Sequence, residues 1–413
     1  MKKRNILFLT GLFCFLFIAD ALGGTSGNSP SGWGGRSTGM GGAGVAAVDD
    51  TAAMIYNPAA ITRIKHERID IGLGIIRGWN RVFTNDYNDK EKCSHKLYVA
   101  PQTGYICNLD DSPFTIGIGA FFTYGAGAEW EYVTPYFGGK RSSKSKVGIL
   151  KLTPTIAYSM SPELSIGLCF DICYGQCMLK GVYGPAYLDI DTADNFGYGF
   201  AIGLLYEPTN RLSLGLSYTS ETYLSDLKSD SASLEIAGVG LWHYDDAKIV
   251  DFQQPCDLAI GIAYYLTDHL LLGFDASWQN YSDVMKELKV KLTDGTGPDQ
   301  KIVIPTGYND VYSFYLGLDY QLTEHLSLRT GFSYDSKMIP DNRLLPLVPS
   351  VGKGYIPSIG FGYSWENYKM DVAWSRHLRE EAKTKKSALI SEYDNSKLEY
   401  SCDYFVLTIS KVF

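Results

Sequence analysis

From residue 65 onward the chain consists of segments of about 10 to 14 residues in which apolar side chains alternate with small or polar ones, the period of an extended strand with two unlike faces. Leu212, Leu214, Leu216 and Tyr218 interleave with Arg211, Ser213, Gly215 and Ser217, and Leu326, Leu328, Phe332 and Tyr334 with Ser327, Arg329, Gly331 and Ser333. A soluble sandwich alternates in the same way, so the connections have to decide. Strands read at 67–76, 96–107, 113–125, 147–159, 163–175, 194–207, 210–222, 255–266, 269–282, 311–322, 325–335, 355–365, 367–377 and 400–413, an even number. After the even-numbered strands the connections are tight, as at Asn108 to Ser112, Ser161-Pro162, Pro208-Thr209, Thr267-Asp268, Thr323-Glu324 and Glu366; after the odd-numbered ones they are long. A sandwich has no reason to sort its loops, whereas a membrane barrel carries tight periplasmic turns and long outer loops. The expected fold class is all-β: a 14-stranded antiparallel transmembrane β-barrel over residues 65–413. The last segment, with Phe405, Leu407 and Ile409 in phase, closes on Phe413, an aromatic ending that suits a bacterial outer-membrane barrel.

Composition removes the main alternatives. A hydrophobic share of 45% with a mean hydropathy of −0.08 excludes a helical membrane protein and a disordered chain. Thirty Tyr and 43 Gly suit many strands with aromatic rims. One apolar run approaches membrane length, Ile6 to Ala19, preceded by Lys2, Lys3 and Arg4 and followed by Asp20-Ala21. Its basic start and small terminal residues mark residues 1–21 as a secretory signal peptide, with an uncleaved anchor as the alternative. Its removal takes 37 Lys+Arg to 34 and 45 Asp+Glu to 44, a net charge of −10, which disfavours a nucleic-acid partner. Seven Cys remain once Cys14 has gone, an odd number for an oxidising compartment. Cys169, Cys173 and Cys177 fall on one strand face, as small wall residues and without a zinc spacing.

Residues 22–64 precede the first strand and include Gly32, Gly34, Gly35, Gly39, Gly41, Gly42 and Gly44. So glycine-rich a segment cannot build a core of its own. It is expected to fold as a hatch, or plug, within the lumen; a disordered periplasmic tail is the alternative.

The run Gly35-Arg36-Ser37-Thr38-Gly39-Met40-Gly41-Gly42-Ala43-Gly44, followed by Asp49-Asp50-Thr51-Ala52 and Tyr56-Asn57-Pro58-Ala59-Ala60-Ile61, resembles the hatch of the FadL-type long-chain fatty-acid transporters. That family also contains toluene and other aromatic-hydrocarbon channels. Leu272 to Gln279, Leu328 to Asp335 and Tyr355 to Tyr363 look like its barrel strands, so the resemblance spans nearly the whole chain after the signal. Two departures concern the ligand more than the fold: Lys337-Met338-Ile339-Pro340 stands where the family often has Ser-Pro-Val, and Pro349 to Lys353 replaces a Pro-Asp-x-x-Arg element.

The resemblance implies capture of hydrophobic molecules at the outer loops, passage into the lumen, a shift of the hatch, and lateral exit beside a kinked third strand. Burial of each CH₂ is worth about 0.8 kcal/mol, so an apolar groove concentrates such a ligand without an energy source. Long-chain fatty acids are the expected cargo, with aromatic hydrocarbons as the alternative. Outer-membrane lipid and lipopolysaccharide are the expected surroundings, and a monomer the expected state. Gly117 and Gly119 are candidates for the lateral opening, or for a plain wall. Asn57, Pro58 and Ala59 would hold the hatch, since Pro fixes φ and Asn bonds its own backbone in a tight turn. Phe121, Leu205, Tyr265 and Tyr315 are inward by phase and either line the ligand path or pack on the hatch. Inward Lys151, Arg329 and Lys369 either pair with a ligand carboxylate or with inward acids such as Asp171, Asp275, Asp319 and Asp371.

An enzyme needs a nucleophile, a base and an orienter within reach. His66, His95, His243, His269 and His325 fall in loops, turns or a strand start, and Ser375 and His377 sit two apart on an extended strand, so no catalytic set, metal or cofactor is expected. A general porin is the nearer rival and would lack a hatch. Asp189-Ile190-Asp191 with Asp194 lacks the glycine of a calcium loop and reads as solvated. N-terminal sequencing of the protein purified from membranes is expected to begin at Leu22; a start well downstream would overturn the signal-peptide assignment.

Overall fold

The computed structural model describes residues 29–94, 97–347 and 352–413. The expected signal peptide, His95 and residues 349–351 lie outside these. Among the described residues, fourteen antiparallel strands form a closed barrel. They are β1 Arg68–Asn85, β2 Leu97–Asn108, β3 Phe114–Thr134, β4 in two pieces (Gly139–Leu152 and Thr155–Ser159), β5 Leu164–Tyr183, β6 Ala186–Thr209 and β7 Leu212–Thr219. The ring continues with β8 Asp257–Thr267, β9 Leu270–Gln279, β10 Val311–Gln321, β11 Leu326–Asp335, β12 Gly354–Trp365, β13 Tyr368–Lys383 and β14 Lys397–Val412. Strand β14 lies against β1 from Arg68 opposite Val412 to Thr84 opposite Lys397, which closes the ring.

The period-two pattern becomes two surfaces. On β6, Phe196, Tyr198, Phe200, Ile202 and Leu204 point outward and are exposed, while Ala201 and Leu205, of the opposite phase, are buried. On β8, Leu258, Ile260, Ile262 and Tyr264 are exposed and Ala259 and Ala263 buried. Repeated around the ring, this makes an apolar belt that water would penalise by about 25 cal/mol per Å² and that hydrocarbon accepts. At the turn side of the belt, Tyr363, Trp365 and Tyr368 stack in series, with ring centroids 6.0 and 5.8 Å apart, as an interfacial girdle does.

The outer connections differ from the expectation in one respect. The long loops expected after the third and fifth strands are strand. Residues 126–134 of β3 pair with 139–147 of β4, and β5 and β6 run on to a two-residue turn at Gly184-Pro185. Gly138 and Gly184, at φ of 63° and 62°, supply the left-handed residue that such tight reversals need. Asp189 to Asp191, expected as a solvated loop, therefore belongs to β6, where Asp189 pairs with Lys180. Polar residues were mistaken for loop here because both faces of a strand above the membrane meet water.

Outside the membrane, the hairpin Ala232–Ile236 and Gly240–Val250 adds to the end of β6, and a second hairpin, Leu288–Gly295 and Gln300–Ile304, adds to the first. Their inner faces share an apolar core with the outer ends of the strands, including Tyr124, Trp130, Ile190, Leu234, Ile304 and Tyr393. A second core lies lower, where Met54, Tyr56 and Ile61 of the leading segment meet Ile106, Phe121 and Leu205 of the wall. Replacing Ile262 by Arg places a charge on the lipid face near the middle of β8. It is expected to cost about 2–4 kcal/mol, measured by urea titration of the protein in lipid vesicles.

Candidate functional site

The leading segment from Ser29 to Ile64 has little regular structure: short helical turns at Gly35–Gly39, Ala53–Tyr56 and Pro58–Arg63. It lies within the barrel, and its buried backbone groups are satisfied by the wall. Asp275 Oδ2 accepts from the backbone N–H groups of Gly44 and Val45 at 2.6 and 2.9 Å, and Asp70 accepts from that of Thr51 at 2.8 Å. Gln102 and Thr408 accept from those of Gly34 and Gly35, both at 3.0 Å. Asn57 is fully buried and used at both ends of its amide. Its Oδ1 caps the Ala59 N–H at 3.1 Å, and its Nδ2 donates to the carbonyls of Val45 and of Leu204 in β6, both at 3.0 Å. Pro58 opens the turn that follows, where its fixed φ fits and its missing N–H leaves no bond unmade.

Close approach requires glycine in the wall. A Cβ on Gly203 would lie 2.0 Å from Asn57 Oδ1, and one on Gly167 2.3 Å from the Pro58 carbonyl carbon. The same holds for Gly215 and Gly261 beneath Val45, Gly317 beneath Met40 and Gly331 beneath Gly41. These inward-phase glycines, from β5 to β11, form a collar on which the segment rests. They escaped notice in the sequence because a lone strand glycine is weak evidence. The available signal was a small inward residue at mid-height in successive strands.

Toward the turn side, the segment is tied by ion pairs. Arg36 meets Asp319 at 3.1 Å; Arg329 meets the same carboxylate at 3.1 Å and Asp371 at 2.7 Å; and Lys369 lies 3.5 Å from Asp371. Arg68 bonds Asp70 at 2.8 Å and the carbonyl of Asp49 at 3.1 Å. Burial pushes the Asp50 carboxyl up to about 6, with the pull of Arg68 partly offset by the charge of Asp70. Because this value is raised, the stability Asp50 contributes is complete below its ordinary 3.8 and is lost as the pH rises through about 6.

Between the segment and the outer core is a cavity, partly open to solvent. Trp33, Val45, Met54 and Ile55 form an apolar floor, and Lys151, Asp171, Gln254, Asp257, Asp275 and Gln279 form a polar side. Of the inward candidates, Tyr315 and Lys151 border this space. Phe121 and Leu205 instead pack in the core beneath it, against the leading segment. Tyr265 does not reach it. That residue keeps its inward phase but sits beside a register shift at the turn-side end of β8, where it is 40% exposed, because there the wall no longer has a segment to cover. Lys151 is 3.1 Å from Asp171, so all three candidate cations have acidic partners in the wall.

A second, mainly apolar hollow lies outside the membrane, lined by Leu179, Leu188, Leu234, Ile302, Leu345 and Leu347 among others.

Strand β3 departs from the regular wall. Its pairing with β2 stops at Gln102 opposite Phe121, leaving Leu97–Pro101 of β2 without a β3 partner. Every residue from Gly119 to Ala128 is buried, so the alternation fails and neither face of this stretch meets lipid. A register shift between Phe122 and Tyr124 and the break in β4 at Thr153-Pro154 accompany this inward bend. Gly117 and Gly119 stand at its start: a Cβ on either would lie 2.8 Å from Met54 of the leading segment. The indole N–H of Trp33 donates to the carbonyl of Phe122 at 3.2 Å, closing the bend from inside.

The model of the family described as outer membrane protein transport protein (OMPP1/FadL/TodX) matches residues 27–410. The chain belongs to this family. The long-chain fatty acid transport protein of Salmonella typhi is 24% identical over 375 residues, covering 80% of this chain and 82% of that one. The 47 kDa outer membrane protein of Pasteurella multocida is also 24% identical, with 82% and 83% covered. Among solved structures, the P. putida toluene transporter TodX has a TM-score of 0.80 at 22% identity, over 93% of this chain and 99% of that one. A Pseudomonas aeruginosa FadL homologue has a TM-score of 0.72 at 18% identity, over 95% and 99%. This member of the OMPP1/FadL/TodX family is thus an outer-membrane protein.

Asn57→Ala removes three hydrogen bonds and is expected to loosen the leading segment by about 2–3 kcal/mol. Gly203→Val should displace it outright. Both are expected to raise single-channel conductance in planar bilayers, Gly203→Val more; unchanged conductance in both would show that the segment is not held at this collar.

Proposed function

We propose that the protein is a passive outer-membrane channel for hydrophobic molecules, in which the leading segment, residues 22–64, is a hatch. The observation that carries this reading is the combination of a filled lumen with two separate hollows, one mainly apolar and outside the membrane, the other between hatch and outer core. A water-filled porin needs an open lumen, and this one is occupied. The outer hollow suits capture of an apolar solute. The inner one lies directly above Trp33, Met54 and Tyr56 of the hatch, so occupancy there bears on the element that must move.

The exit follows from β3. Where its ladder with β2 ends, the wall has backbone groups without a neighbouring strand, and Trp33 of the hatch covers the place. A shift of the hatch that breaks the Trp33–Phe122 bond opens a lateral path into the outer membrane. Gly117 and Gly119 provide the room. Fatty acids and monoaromatic hydrocarbons are the cargo classes, following the names of the relatives.

The chain is read as non-enzymatic. The Ser375 hydroxyl bonds Ser31 at 2.6 Å, and His377 faces Glu380 at 3.3 Å, so serine and histidine serve separate contacts.

Uptake of labelled oleate and labelled toluene by cells with and without the gene tests the reading. At least one should enter several-fold faster with the gene, and Leu188→Asp in the outer hollow should lower uptake at dilute ligand more than at saturating ligand. Equal uptake of both with and without the gene would overturn it.

A further inference from the structure

A row of like charge crosses the sheet outside the membrane. Lys228 of the short strand Leu227–Ser229 lies opposite Lys248 of Gly240–Val250, Lys248 opposite Lys291 of Leu288–Gly295, and Lys291 opposite Lys301 of Gln300–Ile304. Residues directly opposite in an antiparallel sheet share a face, so four lysines stand side by side across four strands, with Cβ atoms about 5 Å apart. Their sequence neighbours Leu227, Ala247, Ile249, Val290 and Leu292 point the other way, into the outer core. The row therefore faces outward.

Like charges directly opposite one another destabilise a sheet. Lys248 is offset by Asp246 at 2.7 Å, but Lys228, Lys291 and Lys301 are exposed and make no ion pair among the described residues. Lys289, close by, is paired twice, with Asp251 and Glu287, both at 3.2 Å, so acids are at hand on this sheet and the row goes without them. Asp194 of β6, opposite Lys228, ends the row and fixes its height. Two residues further along β6, about 7 Å away, is Phe196, the first of the exposed apolar residues that face lipid. Tyr174 lies against Phe196 and Tyr223 against Tyr198, with ring centroids 5.3 and 5.6 Å apart, as a girdle at the outer boundary of the belt. The lysines stand one pleat above that girdle, at the level of lipid head groups.

We propose that this row binds the phosphate groups of lipid A, the phosphorylated glycolipid of the outer leaflet. The outward face, the height just above the girdle and the run of unpaired ammonium groups together complement a lipid-borne polyanion lying beside the barrel, and basic residues at a membrane surface attract anionic lipid in proportion to their number. Bound phosphate relieves the repulsion between neighbouring strands. The lipid thereby fastens the two outer hairpins, whose Leu234, Ile236, Ile302 and Ile304 line the outer hollow.

The test uses the purified full chain in a neutral detergent, with native mass spectrometry counting the lipid it retains. Bis-phosphorylated lipid A is expected to bind about tenfold more tightly than the same lipid stripped of its phosphates. In the triple variant Lys228→Gln, Lys291→Gln, Lys301→Gln that advantage should be lost. A second triple variant, Lys90→Gln, Lys385→Gln, Lys386→Gln, removes three exposed lysines away from the row and should keep it within about twofold. All six side chains are exposed, and an unchanged far-UV circular dichroism spectrum reports an intact barrel in both. Equal binding of the two lipids to the wild-type chain would overturn the proposal without recourse to any variant, as would equal effects of the two triple variants. Displacement of lipid A by millimolar inorganic phosphate would also overturn it, by showing a site for soluble anions.

Discussion

The structure depends on a glycine-rich backbone lying flush against a wall that has no side chains at the line of contact. Gly203 admits Asn57, Gly167 admits Pro58, and Gly317 and Gly331 admit Met40 and Gly41. Contact this close removes water from amide groups on both sides, and a buried N–H left unpaired costs about 1–3 kcal/mol. The wall therefore has to supply acceptors at matching places, which Asp70, Gln102, Asp275 and Thr408 do. Hydrogen bonds and ion pairs at defined points, together with the small apolar core around Met54, Tyr56 and Ile61, hold the segment in place.

That arrangement divides the interior by chemistry. Beneath the segment, Arg36, Arg329 and Lys369 are consumed by Asp319 and Asp371, so cations that look available in the sequence are structural ties. Above it, the same wall leaves carboxyl groups and amides facing apolar residues of the leading segment. Outside the membrane the polarity reverses, and the hollow beneath the added hairpins is lined by leucine and isoleucine. The outer hollow is thus mainly apolar, with Gln300 at its lining, whereas the inner one has a polar side.

The irregular strand concentrates the departures from barrel regularity. Nearly everywhere the pleat alternates lipid and lumen, but from Gly119 to Ala128 both faces are covered. Bending inward frees β3 from β2 and lets Trp33 reach a carbonyl of the wall. A regular strand at this place would continue its ladder with β2 and leave Trp33 no wall carbonyl to meet.

Period-two alternation and tight even-numbered turns were enough to determine the strand number, the antiparallel order and the lipid face, because each follows from spacing along a single strand or hairpin. Outer strand ends were not legible, since polar residues outside the membrane do not distinguish an extended ladder from a loop. Asn57, Pro58 and Ala59 were visible as a turn, but their glycine seats belong to strands more than a hundred residues away. Whether Lys151 or Arg329 faces cargo or an acid was open in the sequence, because ion pairing is set by neighbours on other strands. Only the closed ring shows which acids are near, by bringing Asp171 and Asp371 within bonding distance of those cations.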